Sequence, residues 1–176
     1  MADQGPFAAR TLIGSAVGGT GAAPTRVDVV LGRAGGHAEA AWITTLTAPA
    51  AGHLSLIVEL RPGLPVRPAT VLVAPLAGRP ASVPGLVEGP AQAAAASAIA
   101  RAVEEGMLPR DAVPEVRILV RLDLGATTDS PDQVFANVLA TTHDALAAAI
   151  HGTPTVDEVV AEAGHPWNAG YHRHRN

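Results

Sequence analysis

The sequence predicts an α+β domain built as a two-layer sandwich. Three observations carry that expectation. Segments 25–32, 53–60 and 115–124 each alternate, with one apolar and one polar face, the period of a half-buried strand. Segments 36–47, 90–105 and 131–151 read as helices able to cover the apolar face. Gly- and Pro-rich stretches punctuate the chain between these elements, so sheet and helices form separate layers.

The elements follow in order. A first extended segment is expected over 7–17, and GGTGAAP at 18–24 is a turn or loop lacking the Gly-Lys-Ser/Thr ending of a phosphate loop. In TRVDVVLG at 25–32, Val27, Val29 and Leu31 point one way and Arg26, Asp28 and Val30 the other. HLSLIVEL at 53–60 puts Leu54, Leu56, Val58 and Leu60 on one face, and His53, Ser55, Ile57 and Glu59 on the other. RPGLPVRP at 61–68 is a stiff connection, ATVLVA at 69–74 a strand, and PLAGRPASVPGLVEG a long proline-rich loop. The helix over 89–106 takes Gly89 as N-cap, Pro90 in the first turn and Gly106 as its stop. Its alanine surface allows another backbone to approach closely. EVRILVRLDL at 115–124 places Glu115, Arg117, Leu119, Arg121 and Asp123 on the polar face. A capping box from Ser130 to Gln133, with Pro131 at the first helical position, opens the helix over 131–151. Thr155 and Glu158 form a second box before a short helix, and the GHPWNAGYHRHRN tail lacks periodicity. One domain is expected over 7–168, with flexible tails at 1–6 and 169–176.

Composition limits function. The 176 residues hold 48% hydrophobic but only 3% aromatic side chains, so the core is aliphatic. A net charge of −4 gives no electrostatic case for nucleic acid. The absence of cysteine excludes disulfides, thiol catalysis and thiolate metal sites. No apolar stretch is long enough to span a bilayer, so a soluble cytoplasmic protein without membrane association is expected.

The seven histidines lack zinc-type spacing. His143 and His151 are too far apart on one helix, and His172 and His174 sit among arginines, so no metal site is expected. There is no GxSxG elbow or dinucleotide fingerprint. Arg26 and Asp28 stand out because they share the charged face of an otherwise apolar strand. That face meets water, a neighbouring subunit or a ligand. Gln92 stands out in the first turn of a nearly all-alanine helix, where free N–H groups suit carbonyl or anionic atoms. Its alternative reading is a solvated polar residue.

RVDVVLG, AGHLSLIVELRPGLPVRPATVLVAP, GPAQAAAASAIARAVEEGMLP and the near-terminal GHPW occur in this order. Together they resemble the formaldehyde-activating enzymes over about residues 10–168. The most specific pieces are the R-P-x-L-P-x-R-P run and the G-P-A-Q start followed by A-V-E-E-G. The resemblance implies a fold of the ribosomal protein S5 domain 2 type and a homopentamer with pterin sites between subunits. The implied activity is that of a carbon–nitrogen lyase that condenses formaldehyde with tetrahydromethanopterin, giving the methylene adduct and water. No cofactor is implied to be tightly bound; the reduced pterin is a co-substrate.

Carried over by residue, Asp28 matches a pterin-binding aspartate, and Arg26 occupies the position of the general-acid histidine two residues before it. Ile57 and Gln92 match an apolar residue and a glutamine of the pterin site. Pro75 and Ala77 stand where the family has a lysine and a threonine. Histidine delivers protons near neutral pH, whereas arginine stays charged and is a poor donor. Arginine does hydrogen-bond carboxylates, phosphates and oxyanions. The resemblance therefore implies Arg26 and Asp28 as catalytic residues. It implies Asp28, Ile57, Pro75, Ala77 and Gln92 as ligand-binding. The aldehyde is formaldehyde or another small one, and the amine a reduced pterin or related cyclic amine. A non-catalytic protein of the same fold, binding an anionic or pterin-like ligand, is the alternative.

Overall fold

The computed structural model describes residues 10–20, 25–125, 130–168 and 171–172. Strands β1 (Leu12–Gly18), β2 (Thr25–Arg33), β3 (His53–Ile57), β6 (Ala69–Pro75) and β7 (Val116–Leu124) form one sheet, in the order β1-β2-β7-β6-β3. All neighbours are antiparallel except β6 and β7. Short strands β4 (Glu59–Arg61) and β5 (Leu64–Pro65) make a separate hairpin. The helices are α1 (His37–Thr47), α2 (Val83–Leu86), α3 (Gln92–Glu104), α4 (Pro131–His151) and α5 (Val156–Glu162). Two-residue strands β8 (Trp167–Asn168) and β9 (Tyr171–His172) pair after α5. The expected tails at 1–6 and 169–176 lie outside the described residues apart from β9, as do residues 7–9 of the first extended segment and 21–24 of the following loop.

The α+β sandwich expected from the sequence is the fold. On one face of the sheet, Val27, Val29, Leu31, Leu72, Ile118, Val120 and Leu122 join the buried residues of α3 and α4 in one core. The α3 alanines Ala94, Ala95, Ala96, Ala98 and Ala102 are fully buried, so the close approach they permit is used within the chain, where α3 packs on α4. Gly14 of β1 meets α4 without room for a side chain. A Cβ there would lie 2.5 Å from Ala149 N and 2.8 Å from Ala149 Cβ, and against Ala145 O.

Three local readings are corrected. The strand expected over 53–60 breaks at Val58. Val58 N–H still bonds Thr70 O at 3.1 Å, but its carbonyl accepts from Val66 N–H at 3.0 Å, which turns the chain into the β4–β5 hairpin. Leu60 is consequently exposed. The helix expected to begin at Gly89 instead begins at Val83, and 87–91 form a π-helical turn that contains Pro90. Proline lacks an N–H and its ring crowds the carbonyl of the preceding turn, and a wide turn accommodates both. Helix α1, expected over the apolar face, packs on the opposite one. There Ala38 meets Gly32, and Glu39 accepts from Arg117 Nε at 2.9 Å.

The helix ends follow the sequence more closely. Gly106 has φ +79° just past α3, and its left-handed backbone disfavours any side chain. Gly106→Ala is expected to lower stability by about 1 kcal/mol, read as a fall in the urea midpoint. An unchanged midpoint would show that the turn relaxes freely. Ser130 Oγ accepts from Gln133 N–H at 3.2 Å, but the Gln133 side chain bonds Thr20 Oγ1 and Asn137 Oδ1 instead of completing the box. The Thr155–Glu158 box is complete.

Candidate active site

The face of the sheet opposite the main core carries the polar residues in register. Ser15, Asp28, Arg121, Val73 and Ser55 form one row across the five strands. Ile13, Val30, Leu119, Val71 and Ile57 form the next. Val17, Arg26 and Asp123 begin a third, on the other side of the Asp28 row. Helix α1 covers the end of this face near Gly32 and Arg117, and Val71 is buried there. The side chains of Arg26, Asp28 and Arg121 remain partly accessible.

Asp28 is the hub. Its Oδ1 accepts from Ser15 Oγ at 2.6 Å and from Arg26 Nε at 3.1 Å, and its Oδ2 accepts from Arg121 Nη1 at 3.1 Å. Arg121 also approaches Asp123 at 3.9 Å. Arg79, which follows β6, donates to the other Asp123 oxygen. The result is a chain of alternating charge with three arginines against two aspartates. The Arg26 side chain remains 54% exposed and that of Asp28 24%. Partial burial works to raise the Asp28 pKa. Hydrogen bonds from Ser15 and Arg26, the Arg26 charge and the Arg121 hydrogen bond outweigh it, so Asp28 lies below the ordinary 3.8.

That shift has a sign. A carboxyl whose folded pKa is depressed stabilises the fold fully above its unfolded value and loses this as pH falls through the folded value. Acid unfolding is therefore expected to steepen below about pH 4, and Asp28→Asn should remove part of that acid limb in urea titrations. An identical acid limb in the variant would contradict the pairing.

The other expected site residues are dispersed. Ile57 is exposed on the same sheet face as Asp28, but β3 is three strands from β2, about 14 Å across the sheet. Pro75 ends β6 opposite His53, and Ala77 N–H bonds Gly52 O. Neither has a polar side chain. Gln92 belongs to the helical layer on the other face. Its amide, oriented to satisfy both ends, donates to Glu88 O at 2.9 Å and accepts from Glu59 N–H at 3.2 Å. Its backbone N–H bonds Val87 O, so the free helix end expected at Gln92 is not there. Arg26 and Asp28 meet within one chain, whereas Gln92 stands on the far side of the sheet.

Ser15, Arg79, Arg121 and Asp123 were not among the expected site residues. The alternation of β7 placed Arg121 and Asp123 on a polar face, and antiparallel pairing with β2 was the missing step. No local signal marks Ser15 or Arg79. Trp42 of α1 and Ser55 of β3 each hold a buried polar atom without a partner, Nε1 and Oγ respectively.

The open sheet face of this α+β sandwich thus presents three arginines, each paired with Asp28 or Asp123. The formaldehyde-activating enzyme family model matches residues 13–168, and the chain belongs to that family. It is 33% identical over 161 residues to 5,6,7,8-tetrahydromethanopterin hydro-lyase of Methanosarcina barkeri, with 90% of each chain covered. It is 31% identical over 151 residues to the bifunctional enzyme Fae/Hps of Methanosarcina mazei, and 33% identical over 150 residues to that of Methanocella arvoryzae. The chain spans 38% of the length of each of these bifunctional relatives. The lyase class expected from the resemblance agrees with the name of the first relative. No helix among the described residues is long and apolar enough to cross a membrane.

Proposed function

We propose that this protein condenses formaldehyde, or another small aldehyde, with tetrahydromethanopterin or a related cyclic amine. The open half of the charged sheet face is the site. The observation that carries this reading is the Ser15–Asp28 pair flanked by Arg26 and Arg121, on a family scaffold whose relative is named a tetrahydromethanopterin hydro-lyase. The amine nitrogen adds to the aldehyde carbon, and the carbonyl oxygen takes the electron pair and a proton. The first nitrogen gives up its proton, the carbinolamine hydroxyl takes a proton and leaves as water, and a second nitrogen attacks the resulting iminium carbon and loses its own proton, closing the methylene adduct.

Arg26 hydrogen-bonds the oxygen as negative charge develops, or anchors an acidic substrate. The proton comes from solvent, because a guanidinium does not release one near neutral pH. Asp28 orients Arg26 and the amine. Its lowered pKa makes it a weak proton acceptor, which favours the positioning role. Ile57 supplies an apolar wall, and Gln92 reaches the ligand from a neighbouring subunit of a homopentamer. Pro75 and Ala77 line the end of β6 without polar side chains. The polar demand there falls to Arg79, two residues beyond Ala77.

One observation favours the alternative, a non-catalytic binding protein: both Asp28 oxygens are already engaged. Mixing the protein with formaldehyde and tetrahydromethanopterin separates the two. Adduct formation faster than the spontaneous reaction supports the lyase. Thermal stabilisation by the pterin without added rate supports the binder. Neither response rejects both.

A further inference from the structure

Away from the candidate site, a cavity of about 440 Å³ opens where the chain enters β1, leaves β2 and begins α1. That volume lies in the range of small-ligand sites. Basic side chains line it from all three places: Arg10 before β1, Arg33 at the end of β2 and His37 at the start of α1. Glu115, just before β7, is the one carboxylate among the described lining residues. Its oxygen stands 3.9 Å from Arg33 Nε, beyond hydrogen-bond distance. Positions 34–36 and Ala38 add no side chain larger than a methyl, so a ligand can approach the backbone there. This local excess of base stands in a chain whose net charge is −4.

Helix α1 begins at this cavity without a side-chain cap. Gly36 N–H bonds Arg33 O at 3.1 Å, and Gly35 N–H donates to Glu39 Oε2 at 2.7 Å. Among the described residues, no acceptor meets the N–H groups of His37 and Ala38, and Arg10 has no ion pair. Helix-start N–H groups and guanidinium groups both hydrogen-bond phosphate oxygens. Arg33 is seven residues from Arg26 on β2, about 23 Å along the strand, so the cavity is separate from the Asp28 cluster.

We propose that this cavity binds a phosphate-bearing anion. Its oxygens accept from Arg10 and from the N–H groups of His37 and Ala38, and Arg33 adds positive charge. The volume leaves room for an organic group beyond the phosphate. The site does not depend on the lyase reading.

The test titrates inorganic phosphate and glycerol phosphate into the protein, with ionic strength held constant by chloride, and follows them by phosphorus NMR. Saturable binding is expected. Binding of both probes assigns an organic phosphate, and binding of inorganic phosphate alone assigns the free ion; either supports the site. Arg10→Ala, at an exposed position, should weaken binding about tenfold. Gly36→Asp should abolish it with an unchanged circular dichroism spectrum. Gly36 has the extended backbone of an N-cap, with φ −102° and ψ −170°, and aspartate is a favoured cap whose carboxylate takes the anion's place. No saturation with either probe overturns the proposal. So does binding that survives either variant, or binding that Arg26→Ala removes, which would put the phosphate on the sheet face instead.

Discussion

Arg26→Ala is expected to reduce adduct formation above the spontaneous rate by roughly 10- to 100-fold. Hydrogen bonds to charged groups contribute about 1.5–3 kcal/mol, and the Arg26 side chain is only half exposed. The fold itself should barely respond, because an exposed ion pair contributes about 0–1 kcal/mol and Asp28 keeps Ser15 and Arg121. Loss of rate with an unchanged unfolding midpoint is therefore the signature of a functional arginine. Arg26→His should move the protein toward ordinary family behaviour, with a rate that depends on pH near the histidine range. Recovery should be partial, because Pro75 and Ala77 lack polar side chains. If Arg26→Ala keeps both binding and turnover, the arginine is only a solvated residue on a wet strand face.

Gly14→Ala is expected to destabilise the fold by about 3 kcal/mol, at the upper end of ordinary overpacking. The added methyl would meet the backbone nitrogen of Ala149 at 2.5 Å, and the backbone carbonyl of Ala145 as well. Helix backbone cannot swing aside as a long side chain does, so β1 must move away from α4. Guanidinium unfolding should show a lower midpoint with a similar slope. A loss under 1 kcal/mol would mean that β1 shifts at little cost. Because Ser15 follows Gly14 and donates to Asp28, the shift should also weaken the candidate site.

The sequence showed most clearly what depends on local periodicity. The alternation in 25–32 and 115–124 placed Val27, Val29, Ile118 and Val120 in the core, and Arg26, Asp28, Arg121 and Asp123 on one polar face. Ser130, Thr155 and Gly106 marked helix ends through cap chemistry that acts within a few residues. What escaped depends on distant partners. Val58 reads as one more strand residue until its carbonyl is seen to bond Val66. Pro90 looks like a helix start because a π-helical turn around an internal proline has no simple sequence pattern. Helix α1 was placed on the wrong face because the Glu39–Arg117 pair spans 78 residues. The hub at Asp28 needed the register of β2 against both β1 and β7, which alternation alone does not supply. Gln92 was singled out for a free helix end, but its N–H is bonded to Val87 O. Its case now rests on the family position and on a neighbouring subunit.

The most direct test of the central claim, that the charged sheet face is the reaction site, is a crystal structure of the protein with tetrahydromethanopterin bound. The account predicts the pterin on that face, with a polar atom within hydrogen-bond distance of Arg26 or Arg121, the Ile57 side toward its rings, and Gln92 reaching it from a neighbouring subunit. A pterin held instead in the cavity between Arg10, Arg33, His37 and Glu115, with no contact to Arg26, Asp28 or Arg121, would contradict it.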